Sequence, residues 1–265
     1  MTAPPGITRR EWEAALEPLL GVADGGLWRA HCDALNARLF LRWLGDARHE
    51  RLLKTDLYDE AVGEGMFGLL AGRAACVVGI DLAANVAAAA RERHATLSAV
   101  HADVRRLPFV DGAFEAVVSN STLDHFATHH EIECALADLH RVLAPHGTLL
   151  LTLDNLANPA VALRNALPLA WLRRTGIVPY PVGATYRPGA LRRVLGRLGF
   201  DVVDMSTLMH CPRLPAVARA TRLQRHGSAL AASRFLQRLD RWEWLGRLPT
   251  RFFTGYFVAV LARKR

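Results

Sequence analysis

The chain of 265 residues is 51% hydrophobic and 22% charged, which supplies apolar material for a packed core and excludes a disordered chain. Its formal net charge of +8 is almost all arginine, since Lys54 and Lys264 are the only lysines. Apart from the terminal "ARKR" there is no compact basic run, so we expect no nucleic-acid partner, whereas an anionic or membrane-associated substrate stays open.

Two amphipathic stretches open the chain. Thr8 is predicted to cap the helix "RREWEAALEPLL", with Glu11 as its capping-box partner. A second helix, "LWRAHCDALNARLFLRWL", is predicted to place on one face Trp28, Cys32, Leu35, Leu39 and Trp43. Together they predict a helical cap over residues 1–45.

From residue 51 onward, short apolar runs alternate with helical patterns. Strands are predicted at 76–81, 98–103, 113–121 and 147–155. The first two end in Asp81 and Asp103, and a long helix over 129–145 is predicted to end at Pro145. This alternation predicts an α/β protein with a doubly wound parallel sheet, in which ligands bind beyond the carboxyl ends of the strands.

The remainder of the chain predicts an insertion and the second half of the sheet. Residues 156–186 are rich in proline and aromatic side chains and interrupt the alternation beside the expected ligand crevice. Beyond them we predict a helix over 187–200, a strand over 201–208, a helical region over about 213–247 and a final strand, "FTGYFVAVLAR". No repeat or linker divides the chain, so we expect one domain over 1–265. Its parts are the helical cap (1–45), the half of the sheet in which strands and helices alternate (50–155), the insertion (156–186) and the second half of the sheet (187–265).

The cysteines and the N-terminus predict a compartment. The four cysteines, Cys32, Cys76, Cys134 and Cys211, show neither a C-x-x-C pair nor metal-ligand spacing, so we expect free thiols and no metal site. The N-terminal stretch lacks the apolar core of a signal peptide, and no apolar run reaches the ~20 residues that cross a bilayer. We therefore expect a soluble, cytoplasmic protein.

Three segments occur in a recognisable order: "VVGIDLA", "HADVRRLPFVDGAFEAVVSN" and "LHRVLAPHGTLLLT". In this order and at this spacing they resemble the class I S-adenosylmethionine-dependent methyltransferases, in particular the type-11 branch that includes quinone-biosynthesis enzymes. The G-x-G-x-x-G of a dehydrogenase is absent. The resemblance covers about residues 50–155, and it implies a seven-stranded, mostly parallel Rossmann-like sheet. It also implies S-adenosylmethionine as the cofactor and methyl transfer as the activity.

The resemblance assigns residues to the nucleoside part of that cofactor. Asp81 is expected to bind the ribose hydroxyls and Asp103 the adenine amino group. Leu82 and Val104 are expected to pack against the base, and Asn120 is assigned to the same site. Each aspartate also has a structural explanation, because acids at strand ends commonly cap helices and turns.

The stretch "KTDLYDEAVGEG" lies where this family carries its glycine-rich loop. In one alignment, Asp59-x-Ala61-x-Gly63-x-Gly65 replaces D-x-G-x-G-x-G. In another, "LLKTDL" is the strand, Asp56 is its terminal acid and a longer loop leads to Gly63; the residues leave both open. In either case the carboxylates suit the ammonium and sulfonium groups of S-adenosylmethionine and would repel a pyrophosphate. We therefore predict a divergent loop for a cationic ligand, with altered chemistry or lost turnover as the alternatives.

Catalytic candidates come from "SNSTLDHFATHH", which follows the strand next to the expected methyl group. His125 is predicted as general base or substrate contact, with Asp124 to orient or charge it. A histidine that only shapes the loop is the alternative.

Candidates for the acceptor site come from the cap and the insertion. They are His31, Asn36, Trp171, Tyr180 and Tyr186. Ordinary helix packing, or a small core within the insertion, explains the same residues. Arg164, with Arg173 and Arg174, is expected to be solvated or to hold an anionic group.

The preferred function is in-line methyl transfer to a small, fairly apolar acceptor of the quinone, lipid or secondary-metabolite kind, because alignment dominates such catalysis. One alternative is a different reaction of S-adenosylmethionine that uses its amino-acid portion. The other is a catalytically silent fold that binds a protein or RNA.

Overall fold

The computed structural model describes residues 26–168 and 182–265, which contribute seven strands to one sheet. The strands are β1 (His49–Lys54), β2 (Ala74–Asp81), β3 (Ser98–His101), β4 (Phe114–Asn120), β5 (Leu143–Asp154), β6 (Phe200–Leu208) and β7 (Phe257–Lys264). Their order is β3-β2-β1-β4-β5-β7-β6. Neighbours among β1 to β5 pair in parallel, and β7 is antiparallel to β5 and β6. The predicted seven-stranded, mostly parallel α/β sheet is confirmed.

Helices cover both faces of the sheet. They are α1 (Gly26–Leu44), α2 (Tyr58–Val62), α3 (Phe67–Ala71), α4 (Ala84–Arg93), α5 (His129–Val142), α6 (Pro159–Ala166), α7 (Pro188–Arg197), α8 (Arg213–His226), α9 (Ala229–Trp242) and α10 (Arg251–Thr254). Two 3-10 turns are Leu123–His125 and Glu243–Arg247. Within the described ranges, no helix combines the length and apolarity needed to cross a membrane. The predicted first cap helix, Trp171 and Tyr180 lie outside the described residues.

Two apolar cores lie on opposite faces of the sheet, because the central strands carry apolar side chains at consecutive positions. On β1, Leu53 belongs to the core that contains side chains of α5 and α7, whereas Leu52 belongs to the core that contains side chains of α1 to α4. A smaller cluster joins Leu35 of α1 to Ala216 of α8 and Leu239 of α9. Helices α8 and α9 therefore pack against α1.

The position of β1 agrees with the second alignment of the loop. The strand ends at Lys54, and Asp56 follows it directly before α2. Asp59, the terminal acid of the first alignment, lies inside α2, and Gly63 and Gly65 follow that helix. The chain thus leaves β1 through a three-residue connection instead of a glycine-rich turn.

Helix α5 is shorter than predicted. It begins with a capping box, in which the Glu131 N–H donates to the Thr128 hydroxyl at 3.3 Å and the Thr128 N–H donates to the Glu131 carboxylate at 3.1 Å. The helix ends at Val142, and Leu143 already has extended backbone angles of −71° and 137°. Because Pro145 disfavours a helical conformation in the residue before it, β5 begins where the sequence predicts the last helical turn.

Candidate functional site

Two neighbouring cavities lie beyond the carboxyl ends of the parallel strands, where ligands bind in open α/β sheets. The smaller cavity, of about 60 Å³, lies at the ends of β2 and β3. The larger, of about 250 Å³, is bounded by α1, the ends of β4 and β5, and the start of α8. Asp56 and His125 line both, so the cavities meet at these two side chains.

The walls of the smaller cavity are mostly apolar. They include Ile80, Leu82, Ala102, Val104 and Phe126, and the polar part of the walls includes the carboxylates of Asp81 and Asp103. An apolar slot bordered by carboxylates complements a nucleoside, whose base is flat and whose hydroxyl and amino groups donate hydrogen bonds. Five of the predicted cofactor residues, Asp56, Asp81, Leu82, Asp103 and Val104, are therefore brought together here.

Asp81 fixes the backbone on two sides of this cavity. One oxygen of its carboxylate accepts a hydrogen bond from the Leu57 N–H at 3.1 Å, and the other accepts from the Ala83 N–H at 2.8 Å. Burial raises the pKa of Asp81 above its ordinary value. Since a carboxylate has about four acceptor positions, two of them remain for a ligand.

Asp103 is held as a carboxylate by a neighbouring guanidinium. The Nε of Arg105 donates to one of its oxygens at 3.0 Å and Nη2 donates to the other at 2.7 Å. Arg105 also contacts Glu131 at 2.5 Å, which ties this turn to α5. Burial raises the pKa of Asp103, but the hydrogen bonds from Arg105 outweigh it and hold that pKa below its ordinary value.

Asp56 of the connection after β1 and Asp59 of α2 line the larger cavity. Asp56 accepts a hydrogen bond from the Tyr58 N–H at 2.9 Å, which places its carboxylate at the start of α2. Burial, and then the charge of Asp81, raise the pKa of Asp56 well above its ordinary value. Asp59 forms an ion pair with Arg29 of α1, which joins the cap helix to the loop.

The only lysine near this loop is compensated within the protein. Lys54 and Glu60 are both buried and form an ion pair of 2.7 Å, and Lys54 also donates to the backbone oxygen of Asp56. Gly63 and Gly65, although both are described, line neither cavity. Gly65 has a φ of +53° and lies against Glu60, so its conformation serves the turn after α2.

The larger cavity combines apolar walls with acidic groups. Leu35, Leu208, Met209 and Phe257 are among the apolar members, and Asp154 and Arg213 are charged. Cys32 and Asn36 of α1 also line it. Asn120 contributes from the end of β4, where its side-chain oxygen accepts a hydrogen bond from the Thr152 hydroxyl at 2.7 Å.

A tight turn after β4 carries His125. Ser121 has a φ of +48°, an uncommon backbone conformation for a residue with a side chain. Asp124 is buried, and its carboxylate accepts hydrogen bonds from the Ser121 hydroxyl at 3.0 Å and the Asp154 N–H at 2.8 Å. Asp124 therefore fixes the turn between β4 and β5 on which His125 stands.

The end of the insertion closes on this turn. The Gly183 N–H donates to the Asp124 carbonyl at 2.8 Å, and the Ala184 N–H donates to the Phe126 carbonyl at 2.7 Å. A Cβ atom on Gly183 would lie 2.1 Å from the Phe126 oxygen. Only glycine allows this close approach of the two backbones.

A buried ion pair at the end of β5 was missed by the sequence interpretation. Arg164 of α6 donates to Asp154 at 2.6 Å and to the Tyr256 hydroxyl at 2.8 Å. Burial, and then the charge of Asp124, raise the pKa of Asp154 to about 6. Asp154 ends a strand in the same way as Asp81, so the strand-end pattern could have found it. Arg164 was expected to be solvated or to hold an anionic group, and its partner is this carboxylate of the protein.

Two acceptor candidates, His31 and Tyr186, do not line either cavity. His31 is buried beside Trp28 and lines neither cavity, because the cavity side of α1 is formed by Cys32, Leu35 and Asn36. Tyr186 stacks on His129 with ring centroids 4.4 Å apart and donates to Glu133 at 3.2 Å. These contacts turn its ring towards α5, away from both cavities.

The middle of the chain matches a known family. Residues 59–151 match a family model described as a methyltransferase domain. Over 118 residues the chain is 38% identical to demethylmenaquinone methyltransferase of Thermus thermophilus, which covers 41% of this chain and 52% of that protein. Over 76 residues it is 37% identical to tRNA (carboxymethyluridine(34)-5-O)-methyltransferase alkbh8 of Xenopus tropicalis, which covers 29% of this chain and 12% of that protein. The chain thus spans only part of the length of these curated relatives.

Solved structures share the fold over nearly the whole chain. The 4+2 cyclase SpnF has a TM-score of 0.64 at 20% identity, with 99% of this chain and 98% of that chain covered. The N-methyltransferase NodS of Bradyrhizobium japonicum, in complex with S-adenosyl-L-homocysteine, has a TM-score of 0.56 at 15% identity, with 95% and 97% covered. At these identities the likeness concerns the fold alone.

Proposed function

We propose that the protein, whose residues 59–151 match a methyltransferase-domain family model, is an S-adenosylmethionine-dependent methyltransferase for a small, fairly apolar acceptor. One observation carries the proposal. A cavity suited to a nucleoside and a larger, mostly apolar cavity meet at Asp56 and His125. Adjoining cavities would bring the methyl group of the cofactor close to the reacting atom of the acceptor. In-line methyl transfer depends chiefly on the alignment of these two groups.

The donor set of the smaller cavity fits the nucleoside part of S-adenosylmethionine. Asp81 keeps acceptor positions for two ribose hydroxyls after its two backbone hydrogen bonds. Asp103, held ionised by Arg105, can accept from the adenine amino group, and Leu82 and Val104 provide apolar contact for the base. When bound, the cofactor would supply an electrophilic methyl group.

Two acids beside the junction of the cavities fit the cationic amino-acid part of the same molecule. Asp56 lines both cavities and Asp59 lines the larger one, and a cation beside a buried carboxyl favours its ionised form. Lys54 contributes little positive charge of its own here, because Glu60 neutralises it. A ligand with ammonium and sulfonium groups therefore suits this loop, and a diphosphate does not.

The larger cavity supports an acceptor of modest size and apolar character. Its volume of about 250 Å³ and the apolar surface of Leu35, Leu208, Met209 and Phe257 favour a small acceptor with an apolar part. Arg213 adds one cationic group at the wall. A quinone-, lipid- or secondary-metabolite-like acceptor fits, and the name of the Thermus thermophilus relative supports the quinone class.

We assign His125 as the general base or acceptor contact, because it is the imidazole that lines both cavities. Asp124 acts as a positioning residue, since its hydrogen bonds to Ser121 and to the Asp154 N–H hold the turn that carries His125.

One observation favours a second candidate function. SpnF is described as a 4+2 cyclase, and it shares the fold over 99% of this chain, so the same architecture serves a reaction other than methyl transfer. Product identity separates the two candidates, because a cyclisation leaves the mass of the substrate unchanged.

The experiment is an acceptor screen with S-adenosylmethionine, in which reduced naphthoquinones, phenols and amines are analysed by mass spectrometry. We expect a product heavier by one methyl group, formed with an equal amount of S-adenosylhomocysteine and lost in Asp81→Ala and His125→Phe. Glu92→Ala, an exposed change on α4, is the matched control and should keep full activity. Transfer of the amino-acid portion, or an isomerised substrate with no cofactor consumed, would contradict the proposal.

We also propose a reducing, cytoplasmic location. All four cysteines are free. Burial raises the pKa of the Cys32 thiol to about 12 and that of the Cys211 thiol to about 11, so both are unreactive near neutral pH. Cell fractionation tests this location, and recovery outside the cytoplasm would contradict it.

A further inference from the structure

The segment between β6 and β7 concentrates the charge of the chain. Residues 213–254, here called the basic segment, comprise α8, α9, the turn Glu243–Arg247 and α10. They contain nine arginines and two acids, Asp240 and Glu243. Seven of the eight net positive charges of the protein therefore lie in this one segment.

The basic segment also exposes large apolar side chains. Five of them, each between 44% and 63% exposed, are Leu214, Leu230, Trp242, Trp244 and Phe253. Single exposed apolar residues are ordinary, but a set of them within one basic stretch is typical of an interaction surface.

The two long helices present the same pattern outward. Their inner faces, which include Ala216, Ala220 and Leu239, are buried. On the outer face of α9, Leu230 in the first turn is followed at helical spacing by Arg234, Arg238 and Arg241, all exposed. On α8, Leu214 is followed in the same way by Arg222 and Arg225. Each helix thus combines an exposed leucine with a row of arginines.

We propose that the basic segment docks on an anionic lipid membrane. Helices that lie in a membrane interface insert apolar side chains between the lipids, and their arginines meet the lipid phosphates. The long aliphatic part of an arginine side chain can lie in the apolar layer of the membrane while its guanidinium group reaches the lipid headgroups. Tryptophan is favoured at the same level, which suits Trp242 and Trp244.

The aliphatic residues favour a lipid surface over RNA. An RNA-binding surface contacts the phosphates through arginine and stacks the bases on aromatic rings, whereas an exposed leucine provides neither contact. Leu214 and Leu230 open the two helices, and each is about 60% exposed. RNA binding is therefore an outcome that the experiment must distinguish.

The basic segment adjoins the larger cavity. Arg213, the first residue of α8, lines that cavity together with Leu208 and Met209. A lipophilic acceptor could thus enter from a membrane on which α8 lies. This extension rests on the proposed function, whereas the docking surface does not.

The experiment is co-sedimentation of the full chain with vesicles of phosphatidylcholine, alone or mixed with phosphatidylglycerol, without cofactor. We expect binding to the mixed vesicles only, and weaker binding at high salt. Arg234→Glu/Arg238→Glu/Arg241→Glu should lower the affinity at least about a hundredfold, since each arginine near an anionic surface contributes about a factor of five. Leu230→Ser/Trp244→Ser should also weaken it.

The matched control is Arg91→Glu/Arg192→Glu/Arg193→Glu, which reverses three exposed arginines on α4 and α7. It should bind mixed vesicles far better than the variant on α9, with thermal melting showing that all variants fold. Absence of binding to mixed vesicles, or equal losses in both charge variants, would overturn the proposal. So would tighter binding to a single-stranded RNA than to vesicles, with no effect of Leu230→Ser/Trp244→Ser. Because no cofactor is present, failure here leaves the methyltransferase proposal intact.

Discussion

The carboxylate of Asp81, at the end of β2, accepts a hydrogen bond of 3.1 Å from the backbone N–H of Leu57, in the connection after β1. Its second oxygen accepts from the Ala83 N–H before α4. A single side chain thus fixes the loop that carries Asp56 and also borders the smaller cavity. Loop order and the proposed cofactor binding therefore involve the same carboxylate.

Replacing Asp81 should affect stability and binding to different extents. Asp81→Ala leaves two buried N–H groups without a partner, so we expect a loss of about 1–3 kcal/mol and a melting temperature lower by about 2–4 °C per kcal/mol. Asp81→Asn keeps an acceptor oxygen and should melt closer to the wild type, yet bind the cofactor more weakly. Thermal denaturation and calorimetry measure the two effects. An Asp81→Ala variant with an unchanged melting temperature would contradict this role.

Cofactor affinity should rise with pH. Burial raises the pKa of Asp56 and of Asp81, so these carboxyls retain protons at pH values where an exposed aspartate is ionised. A cationic ligand favours the ionised forms of these carboxyls, so its binding releases protons. The affinity should therefore increase by up to about tenfold per pH unit over the range in which one carboxyl titrates. S-adenosylhomocysteine, which lacks the sulfonium charge, should respond less.

Calorimetry in buffers of different ionisation enthalpy measures this proton release. Asp56→Asn should reduce the slope, and Asp111→Asn, an exposed change, should leave it intact. The stability of the ligand-free protein should change in the opposite direction with pH. Because the raised pKa values let the folded state bind more protons than the unfolded state, the free energy of unfolding should fall as the pH rises above about 4, the ordinary aspartate pKa. A pH-independent affinity would rule out these carboxyls as the cation site.

Gly183→Ala should displace the turn that carries His125. The added methyl group would lie 2.1 Å from the Phe126 carbonyl oxygen, and backbone atoms cannot yield as a flexible side chain can. We expect a large loss of kcat and a lower melting temperature. Gly196→Ala on α7 is the matched control, since its Cβ meets no atom within 4 Å, and it should be stabilising by about 0.4–1 kcal/mol. Full activity of Gly183→Ala would show that the closure on the turn is not needed.

The buried pair of Arg164 and Asp154 should show strong coupling. Arg164→Met leaves the Asp154 carboxyl buried beside Asp124, which should cost about 3–5 kcal/mol in the free energy of unfolding. Asp154→Asn in the same chain removes the unpaired charge and should recover part of this loss. Urea denaturation of both single variants and the double variant measures the coupling. Additive losses would mean that the ion pair contributes no specific stabilisation.

The sequence predicted the sheet well where a strand is strongly apolar and ends in an acid. Asp81 ends such a strand, whereas β3 is only half-buried and stops at His101, two residues before Asp103. β1 was ambiguous because its first half, His49 to Arg51, is polar and not buried, so only Leu52 and Leu53 mark it as a buried strand. The position of the loop therefore followed only from the pairing of β1 with β2 and β4.

The contacts that shape the site join residues far apart in the chain. Arg29 pairs with Asp59, Arg164 with Tyr256, and no local pattern predicts such partners. The sequence predicts that α1 is a helix, but which of its sides faces the larger cavity depends on how α8 and α9 pack against it. For that reason Asn36 lines the cavity and His31, five residues earlier, does not.

Cofactor binding is tested most directly by calorimetry of the protein with S-adenosylmethionine and S-adenosylhomocysteine, repeated with Asp81→Ala and with the control Glu92→Ala. We expect micromolar binding of both ligands by the wild-type protein and by Glu92→Ala. Binding should be about tenfold or more weaker in Asp81→Ala, because two hydrogen bonds to the ribose would be lost. If neither ligand bound the folded wild-type protein, by calorimetry and by a second binding assay, the cavity at the ends of β2 and β3 would not be a cofactor site.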